Sequence, residues 1–273
     1  MIRLSVLGSG SGGNAFVLES PEGMLLLDAG FSAKELTRRA ALVGLDLGKL
    51  TAMVLTHEHG DHASGARRLA TRFGVPIAAT EGTLRALALP PECPRLVLRG
   101  SSITEIGPFS LESCRTLHDA AEPTAVVVEA GDVRIGLAYD FGRPTMGLRH
   151  LLRHCDAIVL EANYDDVLLR TSDYPPSVQH RIAGSGGHLS NRVAAELLSE
   201  LHHDGLSLIV LAHLSRQCND PGVARSTVGS ALARRGFRGS LEVADQQIPL
   251  GPLDIRASGA KYRLPAQAAL ELT

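Results

Sequence analysis

Residues 56–62 read Thr-His-Glu-His-Gly-Asp-His, which places His57, His59, Asp61 and His62 within a few positions of one another, directly behind the apolar run Met53-Val54-Leu55. Alternate side chains of an extended chain share a face, so His57 and His59 project together from the strand end. Asp61 and His62 follow as the chain turns into a helix-like segment at 63–73. This is more than one tetrahedral ion takes from a single loop. Imidazole nitrogens with a carboxylate suit Zn²⁺, Mn²⁺ or Fe²⁺, and two such ions about 3.5–4 Å apart form the arrangement used to hydrolyse phosphate esters and similar bonds. A zincin helix is excluded, because its second histidine would fall at Asp61, and the inverted motif would need histidine at Leu55. The chemistry indicated is metal-assisted hydrolysis.

Further ligands must come from elsewhere in the chain, and strand ends are where sequence-distant side chains converge. His118 follows the run 109–117, Asp140 the run 133–139 and His213 the run 208–212. By position all three are candidates; taken singly, His118 or His213 reads equally well as an ordinary structural histidine. His-x-His-x-Asp-His is the signature of the metallo-β-lactamase superfamily, which the chain resembles along nearly its whole length. The resemblance implies an α/β fold, the four-layer αββα sandwich. It also implies two divalent ions (Zn, Mn or Fe): His57, His59 and His118 around one, Asp61, His62 and His213 around the other, with Asp140 and a water or hydroxide bridging both. Asp28, in Leu-Leu-Leu-Asp-Ala-Gly, resembles the family aspartate that orients the ligand loop by hydrogen bonding from behind.

The segment 158–193 narrows the resemblance. Ile-Val-Leu-Glu161-Ala-Asn-Tyr, Tyr174-Pro-Pro and Gly-Ser-Gly-Gly-His188-Leu-Ser-Asn191, followed by Leu-Ala-His213-Leu-Ser-Arg, look like the bacterial YycJ/WalJ group. That group is a phosphodiesterase-like branch related to tRNase Z and the phosphoribosyl cyclic phosphodiesterases. This likeness implies a phosphodiester substrate, DNA exonuclease activity and a hydroxide held between two ions as nucleophile. Asp61 would accept the water proton while ligating, and His188, supported by Glu161, would protonate the leaving oxygen. The competing reading makes His188 a cap for the helix starting near Ser190 and Glu161 a solvated strand-end acid. No long inserted basic arm of the kind tRNase Z uses for tRNA is present, which disfavours tRNA 3′ processing. Arg143 and Arg181, near motif residues, are candidates for gripping phosphate bidentately, whereas Arg67, Arg68 and Arg72 read as a solvated helix face.

Gly8-Ser9-Gly10-Ser11-Gly12-Gly13 satisfies the dinucleotide pattern, with Asp28 where a ribose-binding acid would lie, but the pattern should open a helix. The stretch from Asn14 to Glu19 and its Pro-Glu-Gly turn read instead as strand and hairpin, so no nucleotide cofactor is expected. The glycines permit a tight turn near the active edge. Whether their amides, with Ser9, Ser11 or Asn14, also contact substrate is left open.

These residues must be positioned by one globular domain over 1–273: 273 residues, 44% hydrophobic, suffice for its core, with Gly251 to Thr273 expected as a strand and then a loose tail from about residue 252. Strands are expected at 2–7, 14–19, 24–27, 52–56, 75–79, 96–98, 109–116, 124–130, 133–139, 157–161, 207–212 and 241–243. Helices are expected at 32–43, 63–73, 81–88, 145–154, 191–202 and 222–235. The net charge of −2 supplies no bulk basic field, so a polyanion would be drawn by local arginines and the ions themselves. Cys93, Cys114, Cys155 and Cys218 form no Cys-x-x-Cys pair and are expected as thiols; with an N-terminal apolar run too short for a signal peptide or a span, the expected location is cytoplasmic, without a membrane partner. His150 and His154 are expected exposed, and His202-His203 at a helix end. Oligomeric state is not legible. Only 4% of residues are aromatic and none is Trp, which favours backbone recognition or a small substrate over base stacking. Two other classes stay open: a small-molecule hydrolase acting on cyclic phosphodiesters, thioesters or lactones, and a non-enzymatic metal-binding regulator. Seven ligands argue against the regulator, because a structural site closes with four.

Overall fold

A computed structural model describes residues 1–100 and 102–258. The first sheet contains β1 (Ile2–Gly8), β2 (Ala15–Ser20), β3 (Gly23–Leu27), β4 (Ala52–Val54), β5 (Ile77–Ala79) and β6 (Arg95–Val97). The second runs through β7 (Thr104–Ile106), β8 (Phe109–Arg115), β9 (Thr124–Ala130), β10 (Val133–Ala138), β11 (Ala157–Glu161), β12 (Leu208–Ala212) and β13 (Ser240–Val243); β14 (Leu250–Ile255) then returns to pair with β1 in the first sheet. Helices α1 (Ala33–Leu42), α2 (Gly60–Ala63), α3 (Ala66–Phe73) and α4 (Glu81–Ala86) come from the first half of the chain. From the second half come α5 (Met146–Leu151), α6 (Asp166–Arg170), α7 (Pro176–Ala183), α8 (Asn191–Leu201) and α9 (Pro221–Arg234).

Strand alternation explains the layers. In β3, Leu25 and Leu27 join the core between the sheets while Met24 and Leu26 pack with Leu36 and Leu69 of α1 and α3. In β11, Ala157 and Val159 face the same central core, and Ile158 and Leu160 pack with Leu148, Leu198 and Val228 of α5, α8 and α9. Strands apolar on both faces need cover on both, and helices supply it outside each sheet. Truncating a wholly buried side chain such as Leu26→Ala should cost about 2–5 kcal/mol. Among the described residues no helix is long and apolar enough to cross a membrane.

Direction decides where chemistry can sit. β3, β4, β5 and β6 are parallel in one sheet, β10, β11, β12 and β13 in the other, while the β8–β9 and β9–β10 pairs are antiparallel, so β8 ends on the same edge as β10. The two sheets are tied there by Thr124 N–H donating to Thr56 O at 3.1 Å. Ligands in α/β sheets gather outside the carboxyl ends of parallel strands, and every candidate site residue that follows such a strand emerges at this edge.

Three differences from the sequence reading have physical causes. The helix expected over 63–73 is broken into α2 and α3 at Ser64-Gly65, where Gly65 N–H donates to Ala29 O and a Cβ on Gly65 would lie 2.3 Å from Phe31 O. The stretch 166–183 forms α6 and α7, although α7 buries no residue and therefore carries no apolar period to read. Residues at the start of the expected tail are strand: Pro252 to Ile255 lie in β14, with Leu253 paired to Leu4 and Ile255 to Ile2. The tail's remainder beyond 258 lies outside the described residues.

Candidate metal centre

The ligand loop leaves β4 and is held by Asp28, the residue following β3. Asp28 Oδ1 accepts from Thr56 N at 2.8 Å, and its Oδ2 accepts from Thr56 Oγ1 at 2.8 Å, Tyr139 Oη at 2.8 Å and His62 Nδ1 at 2.7 Å. With Nδ1–H of His62 committed, its Nε2 carries the lone pair, which Asn14 Nδ2 approaches at 3.1 Å. Thr56 Oγ1, already donating to Asp28, accepts from His57 Nδ1 at 3.0 Å, which leaves His57 Nε2 free in the same way. His118 Nδ1 donates to Gly186 O at 3.2 Å, freeing its Nε2 as well. A carboxylate, a hydroxyl and a backbone carbonyl thus set three imidazole tautomers for ligation.

Two ligand sets result. His57, His59 and His118 form one, with His57 Nε2 at 3.1 Å from His59 Nδ1 and the His118 ring centroid 5.2 Å from each of the other two. Asp61, His62, Asp140 and His213 form the second. Asp140 lies between them, its Oδ2 at 2.6 Å from His62 Nε2 and 3.8 Å from His57 Nε2. Asp28, Asp140 and His213, each at or just past the end of a strand, have φ of 58°, 55° and 56°, a left-handed backbone that non-glycine residues rarely adopt. Such strain persists where the surroundings over-determine it, and it clusters at functional sites.

The residues fit divalent cations on two observations. Asp140 Oδ2 and His213 Nε2 are buried without a hydrogen-bond partner, although Asp140 Oδ2 comes within 2.6 Å of His62 Nε2. Lone pairs therefore face one another across a buried space, which is costly unless a proton or a cation lies between them. Nitrogen and carboxylate donors of this kind suit Zn²⁺, Mn²⁺ or Fe²⁺. In the ion-free protein protons take that place. Burial opposes charge on His62, but Asp140 and Asp28 push its pKa well above the usual histidine range. Burial likewise opposes charge on His213, yet Asp140, Asp61 and Glu161 raise it to about 9. His57 goes the other way, held well below the ordinary value by burial and by the neighbouring charge on His62. Burial would raise Asp140, but His213 and His62 keep its carboxyl well below the usual range.

A third group adjoins the second set. Glu161, wholly buried at the end of β11, accepts from His188 Nδ1 at 2.8 Å and from Phe141 N at 3.1 Å, and lies 3.2 Å from His213 Nδ1. His188 remains 24% exposed at the mouth of the cavity. Burial opposes its charge, but Glu161 and Asp140 raise its pKa to about 10. The helix cap is Ser190, whose Oγ accepts from Val193 N, so His188 does not cap α8 and Glu161 is not a solvated acid.

The cavity, about 260 Å³, is lined by ligands from both sets together with His188, Ser11, Asp119, Arg181 and Ile182. Ser9 and Asn14 are buried and internally engaged: Ser9 Oγ donates to Asn14 Oδ1 at 2.8 Å and accepts from His213 N at 2.8 Å, and Asn14 N donates to Asp61 O at 2.8 Å. They brace both halves of the site, and Ser11 is the loop residue that reaches the cavity. Arg143 is exposed and is not among the lining residues. Sequence reasoning passed over Thr56, Tyr139 and Asn163, the last holding His213 through Nδ2 to its carbonyl at 2.7 Å. Thr56 and Tyr139 directly precede His57 and Asp140, and that adjacency was the available signal.

Residues 8–171 match the family model of the metallo-beta-lactamase superfamily. The chain belongs to that superfamily. Its hydrolase class and two-sheet fold agree with that membership. The superfamily relatives include exodeoxyribonuclease YycJ of Bacillus anthracis, 31% identical over 240 residues, 86% of this chain and 91% of that protein. Exodeoxyribonuclease WalJ of Streptococcus pneumoniae is 32% identical over 238 residues, 85% and 88% of the two chains. Among solved structures, the metallo-beta-lactamase fold protein YhfI from Bacillus subtilis superposes with a TM-score of 0.70 at 17% identity, covering 92% of this chain and all of that one, a likeness of fold.

Proposed function

We propose that this protein is a phosphodiesterase working with two divalent ions, Zn, Mn or Fe, and that its substrate is DNA, which it degrades as an exonuclease. The observation that carries the reading is the Glu161–His188 pair, 2.8 Å apart and beside the cavity that both ligand sets line. His57, His59 and His118 would hold one ion, Asp61, His62 and His213 the other, with Asp140 serving both. Bound ions of this kind supply Lewis acidity and lower the pKa of water from 15.7 to about 7.

The chain's own residues do the rest. Glu161 fixes the His188 ring through Nδ1, so its Nε2–H is available to protonate a leaving oxygen, a step worth on the order of 10²–10⁴-fold. Neutralising Asp140 would bring the His188 pKa down from about 10 toward the range where a general acid works at neutral pH. Asp61, 3.3 Å from His62 Nε2 and less buried than Asp140, would take the proton of the attacking water. Arg181 lines the cavity as a guanidinium able to grip a phosphate oxygen pair, and Ser11 offers a hydroxyl from the glycine-rich loop. The relatives named exodeoxyribonuclease support DNA as substrate.

A cavity of about 260 Å³ lies at or below the small end of ligand sites, roughly 300–1,000 Å³, and so admits one small unit at a time. This favours a chain terminus over an internal bond, and it equally favours the second reading, a small cyclic phosphodiester. Purified, metal-analysed protein given end-labelled duplex DNA, single-stranded DNA, RNA and bis(p-nitrophenyl) phosphate in parallel separates these. Progressive shortening of DNA, lost with chelator and restored by Mn²⁺ or Zn²⁺, is the expected result; intact DNA beside cleaved bis(p-nitrophenyl) phosphate would overturn the nuclease reading.

A further inference from the structure

The glycine-rich loop has two sides. Ser11 faces the metal cavity, whereas Gly12 lines an open groove of about 490 Å³ next to it. The segment after β12 divides in the same way, with His213 on the cavity and Arg216 on the groove. Of the groove's seven lining residues three are arginines, Arg38, Arg39 and Arg216, and none is an acid, in a chain whose net charge is −2.

The floor of the groove is fixed. The Arg39 side chain is 8% exposed; it donates to Glu35 Oε1 at 2.6 Å, Leu7 O at 2.8 Å and Gln246 O at 2.9 Å, and its guanidinium stacks 4.1 Å from the Phe31 ring centroid. Gln246 accepts from Gly12 N at 2.6 Å and donates to Gly13 O at 2.9 Å, which couples the groove to the loop carrying Ser11. Arg38 pairs with Glu35 but stays 55% exposed. Arg216 is exposed and, among the described residues, makes no hydrogen bond or ion pair. Phe31, the groove's one aromatic lining residue, is 9% exposed and has Arg39 over one face, so it offers little ring surface for a base to stack on. Cations over a rigid floor with little stacking surface suit a charged backbone and ignore sequence.

We propose that this groove binds the phosphodiester backbone of a single-stranded polynucleotide, nucleotides away from the scissile bond, with Arg216 and Arg38 gripping phosphates. The proposal rests on the nuclease reading above and adds to it a reason for preferring long substrates. Its test is binding of fluorescein-labelled phosphorothioate DNA and RNA, from a dinucleotide to about twelve nucleotides, to metal-loaded protein by anisotropy across a salt series. Affinity of the native protein should rise with length. Arg216→Glu should remove most of that rise, on the order of tenfold at the longest length, with a salt slope shallower by about 0.7 for each phosphate left without its arginine. Arg216→Lys should keep most of it, and Arg38→Gln should lose part. An Arg216→Glu protein of native melting temperature with unchanged length and salt dependence would overturn the groove. Cleavage assays decide the parent reading separately: groove-dependent binding beside intact DNA and RNA would sink the nuclease reading and leave the groove standing.

Discussion

His62 Nδ1 donates to Asp28 Oδ2 at 2.7 Å, and both side chains are wholly buried. The bond fixes the imidazole tautomer, turns Nε2 toward Asp140 and Asp61, and ties β3 to the ligand loop through an atom that also accepts from Thr56 and Tyr139. Hydrogen-bond partners behind a metal ligand typically carry 10–100-fold in metal affinity.

Asp28→Asn should therefore lower metal affinity by about 10–100-fold while the protein still folds, because the amide can keep one acceptor toward Thr56. Tyr139→Phe removes one donor of the four on Asp28 and should cost about 1–2 kcal/mol of stability with metal content retained. Competition with a chelator of known affinity checks the first, thermal or denaturant melting the second. Equal metal loss in both would mean that Asp28 acts on packing rather than on His62.

Asp140→Ala should disturb both ligand sets and His118→Ala mainly one. Asp140 lies 2.6 Å from His62 Nε2 and 3.8 Å from His57 Nε2, whereas His118 joins only the set with His57 and His59. Elemental analysis of the two purified variants distinguishes them. An Asp140→Ala protein holding as much metal as the native one, with native activity, would show that the carboxylate does not serve both ions.

The same residues show how far the site was legible in the sequence. The strands preceding His57, Asp140 and His213 have apolar runs and the one preceding His118 alternates apolar with polar, so all four landing points were accessible in sequence, and the four-layer arrangement came with the resemblance carried by residues 57–62. The supports were less accessible. Tyr139 and Thr56 read as ordinary strand residues because their role is to hydrogen-bond Asp28, a pairing that sequence spacing does not encode. Ser9 and Asn14 stay ambiguous in the sequence between plain turn and substrate contact, because small polar residues in a glycine loop suit either role; burial commits them to bracing His213 and Asp61. The α7 helix was illegible for the opposite reason: with no buried face it shows no period, though it carries Arg181 to the cavity.

Metal binding should release protons, and affinity should rise with pH. In the ion-free protein His213 titrates at about 9 and His62 well above its ordinary range, so both are cationic at about pH 7.5, while a cation binds only the neutral ring. Titration calorimetry in two buffers of different ionisation enthalpy should show net proton release near neutral pH that shrinks toward about pH 9. The ion-free protein should behave in the opposite sense. A histidine pKa raised from 6.5 to about 9 contributes stability fully present below the first value and lost as pH climbs through the second. Its melting temperature should therefore fall over that interval, and metal-loaded protein should lack this fall. Binding heats independent of buffer would show that the sites are already neutral.

His188→Ala tests the proton donor. The ring lies outside the two sets assigned to the ions, bonded through Nδ1 to Glu161 and 24% exposed, so its loss should leave folding and metal content near native. Turnover should fall by about 10²–10⁴-fold on DNA, whose alkoxide leaving group needs a proton, and far less on bis(p-nitrophenyl) phosphate, whose nitrophenolate departs without one. Glu161→Gln should show the same leaving-group dependence in weaker form, because the amide can still hold the ring but no longer supports its charge. The ratio of the two rates is the decisive quantity, since it cancels any general damage to the site. Equal losses on both substrates with metal retained would reject proton donation and leave positioning of the substrate as the role of His188. Loss of metal in His188→Ala would instead make it a ligand, as its 3.2 Å approach to Asp140 Oδ1 permits.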